Sequence, residues 1–365
     1  MQTKKLRILL ILLVGAVIIC VVSVALAFMW YNSNLKPVSD AENKSIIEVN
    51  IEEGIGVTGV ADVLAENKII KNADVMKIYV RINKIPNLQA GKYKLDNSED
   101  MATIIEHIAN GEIATDEVKI TFIEGKNMKW IAKKIAENTI NTEEDVFSLL
   151  ENEEYIDSLV EKYWFITEEI KDSRIYYPLE GYLLPDTYIF ENEEVSIKTI
   201  FNILLNYMDK LLIKYKDDID NSNLTVHQML TIASLAEMEG KSTEDRAEIV
   251  GVFFNRLASK MSLGSDVTTY YAAKVDMSER ELYKSELNQN NPYNTRGPNM
   301  EGKIPVGPIC NPSESAIKAT LNYKETDAIY FIADKNGKVY FTKTYDEHNK
   351  TRQKLIDDGL WHIYE

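Results

Sequence analysis

Glu237 and Glu239 are the two acidic side chains of this sequence best placed for proton chemistry. They close the segment LTVHQMLTIASLAEMEG, residues 224–240. A carboxyl group beside an apolar wall keeps its proton to higher pH and can donate it to a leaving oxygen, as glycosidases require. The same arrangement also fits a buried acid neutralised by a nearby arginine such as Arg246 or Arg256, since structural ion pairs also shift pKa values. At about 100° per residue, Glu239 falls on a helix stripe with Ile232, Leu235 and Ala236, its neighbours at i−7, i−4 and i−3. Glu237 lies roughly 200° round the helix, on a side that carries Leu230 and Ala233. A regular helix therefore aims the two acids at different sites, and periodicity alone does not choose between them.

The elements that must hold these acids are legible nearby. Thr225 followed by Gln228 predicts a capping box, and Gly240 a left-handed helix stop. Ser242 and Asp245 repeat the cap signature, so a second helix is expected to run to about Leu257. Further on, Asn288–Pro312 is polar and rich in Asn and Pro. A long loop in a compact domain is usually functional or disordered. Its Tyr293 and Asn294 offer a ring face and an amide, which suit N-acetylated sugars. The residues 328–342 alternate as a β-hairpin about Asn336-Gly337, and Ser313–Thr320 reads as a helix.

Several blocks in register resemble the endolytic murein transglycosylase family, also called YceG-like. They are Ala233-Ser-Leu-Ala-Glu-Met-Glu239, then Arg246, then Val252-Phe-Phe-Asn255-Arg256-Leu257. Met261-Ser-Leu-Gly-Ser-Asp266, Pro292-Tyr293-Asn294-Thr295, Ile304–Pro312 and the upstream Glu180–Tyr188 follow the same pattern. The resemblance runs from the N-terminal apolar segment to the C-terminus. It implies lytic cleavage between N-acetylmuramic acid and N-acetylglucosamine in peptidoglycan glycan strands, leaving 1,6-anhydro ends and terminating or releasing nascent strands. In that family the second acid of the Glu-x-Glu pair is catalytic, which points to Glu239. Met238 stands between the acids where many members carry Lys. The resemblance places Glu237, Arg246, Asn255, Asp266, Tyr293, Asn294, Thr295 and His348 on the substrate side. It also implies penicillin-binding proteins and other wall-synthesis proteins as partners, and no cofactor. Two other readings remain: a hydrolytic muramidase in which Asp186, Asp266 or another acid holds the water or acts as nucleophile, and a non-catalytic anchored adaptor that holds glycan or recruits wall-synthesis proteins.

Composition bounds these readings. The 365 residues carry a net charge of −16, which disfavours nucleic acid as a partner because phosphate binding needs clustered Lys and Arg. Cys20 and Cys310 are the only cysteines, so no disulfide framework arises and no spacing suits a metal. The four histidines, His107, His227, His348 and His362, are scattered.

The N-terminus carries Lys4, Lys5 and Arg7, and Ile8–Tyr31 is then free of charge. That length crosses a hydrocarbon core of about 30 Å. Ala25-Leu-Ala27 offers a signal-peptidase site, but the apolar run before it is longer than a typical signal core. Ile18 and Ile19 before Cys20 do not make a lipobox. With the basic residues leading, a retained span with a cytoplasmic N-terminus and an extracytoplasmic remainder is expected.

The predicted organisation is α+β. Residues 1–7 are a cytoplasmic tail, 8–31 a transmembrane helix, 32–45 a linker, 46–115 a LysM-like α/β module and 116–365 a mixed catalytic domain. The LysM-like module is what the family resemblance implies, and the chain also echoes itself: Glu53-Gly54, Ala61, Ala65-Glu-Asn67 and Ile69 return as Glu124-Gly125, Ala132, Ala136-Glu-Asn138 and Ile140. Each copy reads as strand, Glu-Gly turn, amphipathic helix.

Overall fold

A computed structural model describes residues 2–114 and 116–361. Met1, Thr115 and residues 362–365, with His362 among them, lie outside the described residues. The chain divides into two compact units, residues 1–116 and 117–365.

The first unit begins with α1, Gln2–Leu35. Its stretch Leu12–Leu35 is long and apolar enough to cross a membrane, and side chains such as Ile19, Val24 and Phe28 are exposed. The helix continues past Tyr31, where a linker is predicted. Asn32 and Asn34 bond back to the carbonyls of Phe28 and Trp30 at 2.8 Å, and Tyr31 and Leu35 pack on the unit's own core.

After a 3-10 turn at Ala41–Asn43 come β1 (Ile46–Ile51), α2 (Gly56–Glu66), α3 (Ala73–Ile82), β2 (Gly91–Asp96) and α4 (Met101–Asn110). β1 and β2 pair antiparallel with Val49 opposite Tyr93. The alternation of β1 buries Val49 and Ile51 against Leu64, Met76, Ile104 and Ile105, a period-2 face meeting helix stripes.

The second unit starts with β3 (Val118–Thr121) and α5 (Met128–Asn138), the echo of β1 and α2. The Glu-Gly turns do the same work in both copies: Gly54 and Gly125 have φ of 83° and 72°, left-handed values that a Cβ would strain. Then follow α6 (Glu143–Leu150), α7 (Glu153–Lys162), β4 (Thr187–Phe190), α8 (Ile197–Lys214) and α9 (Lys216–Asn221). The chain continues through α10 (Val226–Glu239), α11 (Thr243–Ala258), α12 (Asp266–Ala273), α13 (Lys284–Leu287) and α14 (Glu314–Leu321). It ends with β5 (Tyr330–Ala333), β6 (Val339–Thr342) and α15 (Tyr345–Asp357). β3 pairs antiparallel with β4, and β5 with β6.

α10 is the axis of this unit. Leu230 and Ala233 enter one core with Phe201, Leu204 and Met208 of α8. Ile232, Leu235 and Ala236 enter another with Ile249 and Phe253 of α11, Tyr293 and Ile309. A helix buried on both sides is held chiefly by tertiary packing. Solvent reaches it at Gln228 in the first turn and again in the last turn, where both acids sit.

Candidate active site

The caps of the helix pair form as the sequence predicts. Thr225 and Gln228 make the reciprocal box, and Ser242 accepts from the Asp245 N–H. Gly240 departs from expectation: its φ of −112° and ψ of 137° are extended rather than left-handed. Its value is space instead, because a Cβ there would stand 2.8 Å from Cγ of Arg246 and 3.0 Å from its backbone nitrogen. The tight turn brings the start of α11 back onto the end of α10.

That return separates the two acids chemically. Arg246 of α11 donates Nη2 to Oε1 of Glu237 at 2.5 Å, and both side chains are largely buried, at 13% and 6% exposure. The other oxygen of Glu237 accepts from the Ser313 N–H at 2.9 Å and its hydroxyl at 2.5 Å. Arg246 also donates to the Ser315 hydroxyl. Glu237 is therefore fully satisfied by protein groups and ties α10, α11 and α14 together. Glu237 and Arg246, expected on the substrate side, direct most of their hydrogen-bonding capacity inside the fold, while the buried Arg246 Nε has no partner among the described residues.

Glu239 has no ion-pair partner within 4.0 Å among the described residues. Its Oε1 accepts from the Ser265 hydroxyl at 2.5 Å. Burial raises its carboxyl pKa above the ordinary glutamate range; Ser265 opposes the rise, Asp266 adds to it, and the cations Arg296 and Arg256 oppose it. Its place in the last turn of α10 adds to the rise, since the helix dipole is negative there. It remains partly open to solvent, so a proton held there is reachable.

Ser265 owes its position to Thr295. The Thr295 hydroxyl accepts from the Ser265 N–H at 2.9 Å, lies 2.8 Å from the Thr268 hydroxyl, and the Thr295 carbonyl accepts from the Gly264 N–H at 3.2 Å. Thr295 thus clips the loop that carries Ser265 to the start of α12. Neither Ser265 nor Arg296 stands out in the sequence; the only signal is their place in the Met261–Asp266 and Pro292–Thr295 blocks or next to them.

The other predicted residues fall into two groups. Asp266 is exposed and ion-paired to Arg296 beside the acid. His348 of α15 lies against the Tyr330 ring, with centroids 5.4 Å apart, and Arg256 stands 5.4 Å over the same ring. Burial, then Arg352 and Arg256, lower the His348 pKa, so at neutral pH it is an uncharged member of this cluster. Tyr293, Asn294, Thr295 and Asn255 are placed differently. The first three are completely buried. The Asn294 amide serves the carbonyls of Glu286, Leu287 and Gln289, and its oxygen accepts from Thr269. Asn255 donates to the carbonyls of Thr326 and Ala328 at 2.7 and 3.0 Å. The expectation of direct sugar contact is corrected for these four; they build the walls that position Ser265 and the hairpin.

A second buried acid was not singled out by sequence. Glu180 is 1% exposed and accepts from the Met128 N–H and the Tyr271 hydroxyl, both at 3.0 Å, and from Asn311 at 3.3 Å. Burial pushes its pKa up to about 8 despite the bonds from Met128 and Tyr271. It joins α5, α12 and the Ile304–Pro312 segment.

A hollow of about 1150 Å³ is lined by Gln228, Ile232, Asn291, Met300, Ile304 and neighbours, and Glu239 is not among its lining residues. The chemistry is better located by the acid than by this volume: proton transfer needs a group that holds its proton, and Asp172 in the lining is kept ionised by Arg174.

A buried carboxyl with a raised pKa, held by a hydroxyl and set beside an ion-paired acid, is an arrangement that suits general acid–base chemistry on one group. Comparison with known proteins gives the lineage. Residues 49–354 match the YceG-like family, and the chain belongs to that family. It is 36% identical over 331 residues to a Bacillus subtilis (strain 168) protein named endolytic murein transglycosylase, covering 90% of both chains. A Streptococcus pneumoniae (strain D39) protein of the same name is 32% identical over 350 residues, covering 91% of this chain and 62% of that one. A 2.6 Å crystal structure of a yceG-like protein from Listeria monocytogenes superposes with a TM-score of 0.61 at 33% identity, covering 85% of this chain and all of the other.

Proposed function

We propose that this protein is a membrane-anchored lytic transglycosylase that cuts within peptidoglycan strands, with Glu239 as both acid and base. The observation that carries the assignment of the acid is the asymmetry of the pair: Glu237 is neutralised by Arg246 and Ser313, whereas Glu239 holds a raised pKa with one hydroxyl donor. In the reaction Glu239 gives its proton to the bridging oxygen as the bond from C1 of N-acetylmuramic acid breaks. The sugar's own 6-hydroxyl oxygen bonds to C1, and its proton passes to the carboxylate, restoring the acid. No water is consumed, and one carboxyl suffices.

Hydrolysis is the second reading, because Asp266 lies close enough to raise the Glu239 pKa. Its pairing with Arg296 argues against a free nucleophile or base, and Asp186, at the start of β4, instead accepts from the Thr187 N–H. The full chain in detergent, incubated with polymeric peptidoglycan, should release muropeptides with 1,6-anhydro ends. Products heavier by one water throughout would establish hydrolysis instead.

Lys4, Lys5 and Arg7, which precede the apolar run within α1, support a cytoplasmic N-terminus. A reporter fused after Glu365 should be active only outside the cytoplasm; a mature form beginning near Phe28 would show that the segment is cleaved. The β-α-α-β order of residues 46–96, with its antiparallel strand pair, supports the LysM-like reading of that module.

A further inference from the structure

A recess of about 350 Å³ lies at the far end of α12 from the acid, between the first turns of α5, the Tyr176-Tyr177 segment and the last turn of α12. Its walls are aromatic: Trp130, Tyr176, Tyr177 and Tyr271 line it. Tyr271 and Tyr176 stack with centroids 5.7 Å apart. Tyr177 rests on Phe147 at 5.4 Å. Trp130 is set by the Asn127 cap, whose oxygen accepts its N–H at 3.1 Å. Among the described residues, neither the Trp130 indole N–H nor the Tyr177 hydroxyl has a hydrogen-bond partner, although both side chains are half-buried. Both atoms reach the surface, so they are open to a ligand.

Around the rings stand Lys129, Lys133 and Lys274 together with Glu143, Asp276 and Glu279. The balance of charge disfavours a strongly anionic or cationic ligand. Ring faces with both donors and acceptors at their edges suit an uncharged, hydroxyl-rich ring.

The recess is tied to the acid by two structural links. α12 is capped by Ser265, which holds Glu239, at its start and by Lys274 at its end, and its eight residues rise about 12 Å between them. The Gly125 turn forms the other link. A Cβ on Gly125 would stand 3.3 Å from Sδ of Met238, next to Glu239 in the chain, and Asn127 two residues on already lines the recess.

We propose that this recess is a distal subsite for the glycan chain, in which an N-acetylated hexosamine ring a few residues from the scissile bond stacks on Trp130 and Tyr177. Lys129, Lys133 and Glu143 serve its hydroxyl and acetamido groups. The inference rests on the function proposed above, and its test reads binding separately from cleavage.

The background is the full chain in detergent carrying Glu239→Gln, and the probe is glycan strands stripped of stem peptides. Trp130→Leu, which keeps apolar bulk against the core, should weaken strand binding about three- to tenfold. Lys129→Ala with Lys133→Ala, on exposed helix positions, should weaken it in the same direction. A single disaccharide, too short to reach from the acid to the recess, should bind with unchanged affinity, and the melting temperature should hold. Unchanged strand binding in both variants overturns the subsite, as does an equal loss for strand and disaccharide. Strand binding that responds as expected while the wild-type chain releases no product would leave the subsite standing and reject the lytic reading.

Discussion

Glu239→Gln should abolish release of anhydro-ended products while leaving the fold intact. Glutamine keeps the size of the side chain and can still accept from the Ser265 hydroxyl, but it carries no proton to donate. General acid–base catalysis contributes about 10²- to 10⁴-fold, and a reaction that uses one group twice should lose at least that much. The pH dependence separates this from a structural effect. In the wild type the donor form is lost as pH rises through the elevated Glu239 pKa, so the rate should fall on the alkaline side. Stability should fall as pH rises from the ordinary glutamate value to that elevated pKa, because over this window the folded protein holds a proton that the unfolded chain has released. The glutamine variant cannot ionise at position 239, so its decline with pH should be shallower than that of the wild type, leaving the part that Glu180 contributes up to about pH 8. Glu237→Gln, whose site is structural, should retain some activity. Full production of anhydro ends by the Glu239→Gln protein would sink the assignment.

Asn294→Ala should act chiefly on stability. The substitution leaves the fully buried Thr269 hydroxyl without its acceptor and removes a donor from the part-buried carbonyl contacts of Glu286, Leu287 and Gln289. An unmet buried polar group costs about 1–3 kcal/mol. Even after partial rearrangement, the melting temperature should drop by on the order of 5–10 °C, taking about 2–4 °C per kcal/mol for a domain of this size. Gly297 packs against the same amide, its Cβ position 2.9 Å from Nδ2, so the loop has little room to close around the gap. Activity measured well below the transition should fall only as far as Thr295 and Ser265 shift. An unchanged melting temperature with a raised KM would show instead that the amide faces substrate.

These two residues mark where sequence and tertiary structure part. Local rules were enough for the elements. The Thr225-Gln228 box, the Ser242 cap, the Glu-Gly turns at Gly54 and Gly125 and the alternation of β1 and β5 act over a few residues, and each formed where its pattern lies. The uncharged run of α1 likewise needs nothing beyond its own composition. The hairpin turn was legible in part: Asn336-Gly337 lies within it, but Asp334 organises the loop by accepting from the N–H groups of Asn336 and Lys338.

The division of labour between the acids was decided only by the fold. Both have apolar residues at i−4 and i−7, because α10 is buried on two sides by two different cores, so helical periodicity carries no preference. The choice is made by groups remote in sequence: Ser313, 76 residues away, neutralises Glu237 together with Arg246, and Ser265, 26 residues away, holds Glu239. Asn294 and Tyr293 have the chemistry of sugar contacts, yet whether a polar side chain meets solvent or a buried carbonyl depends on what packs over it. Residue type fixes what a side chain can bond to. Packing decides which of those bonds remains available to a ligand.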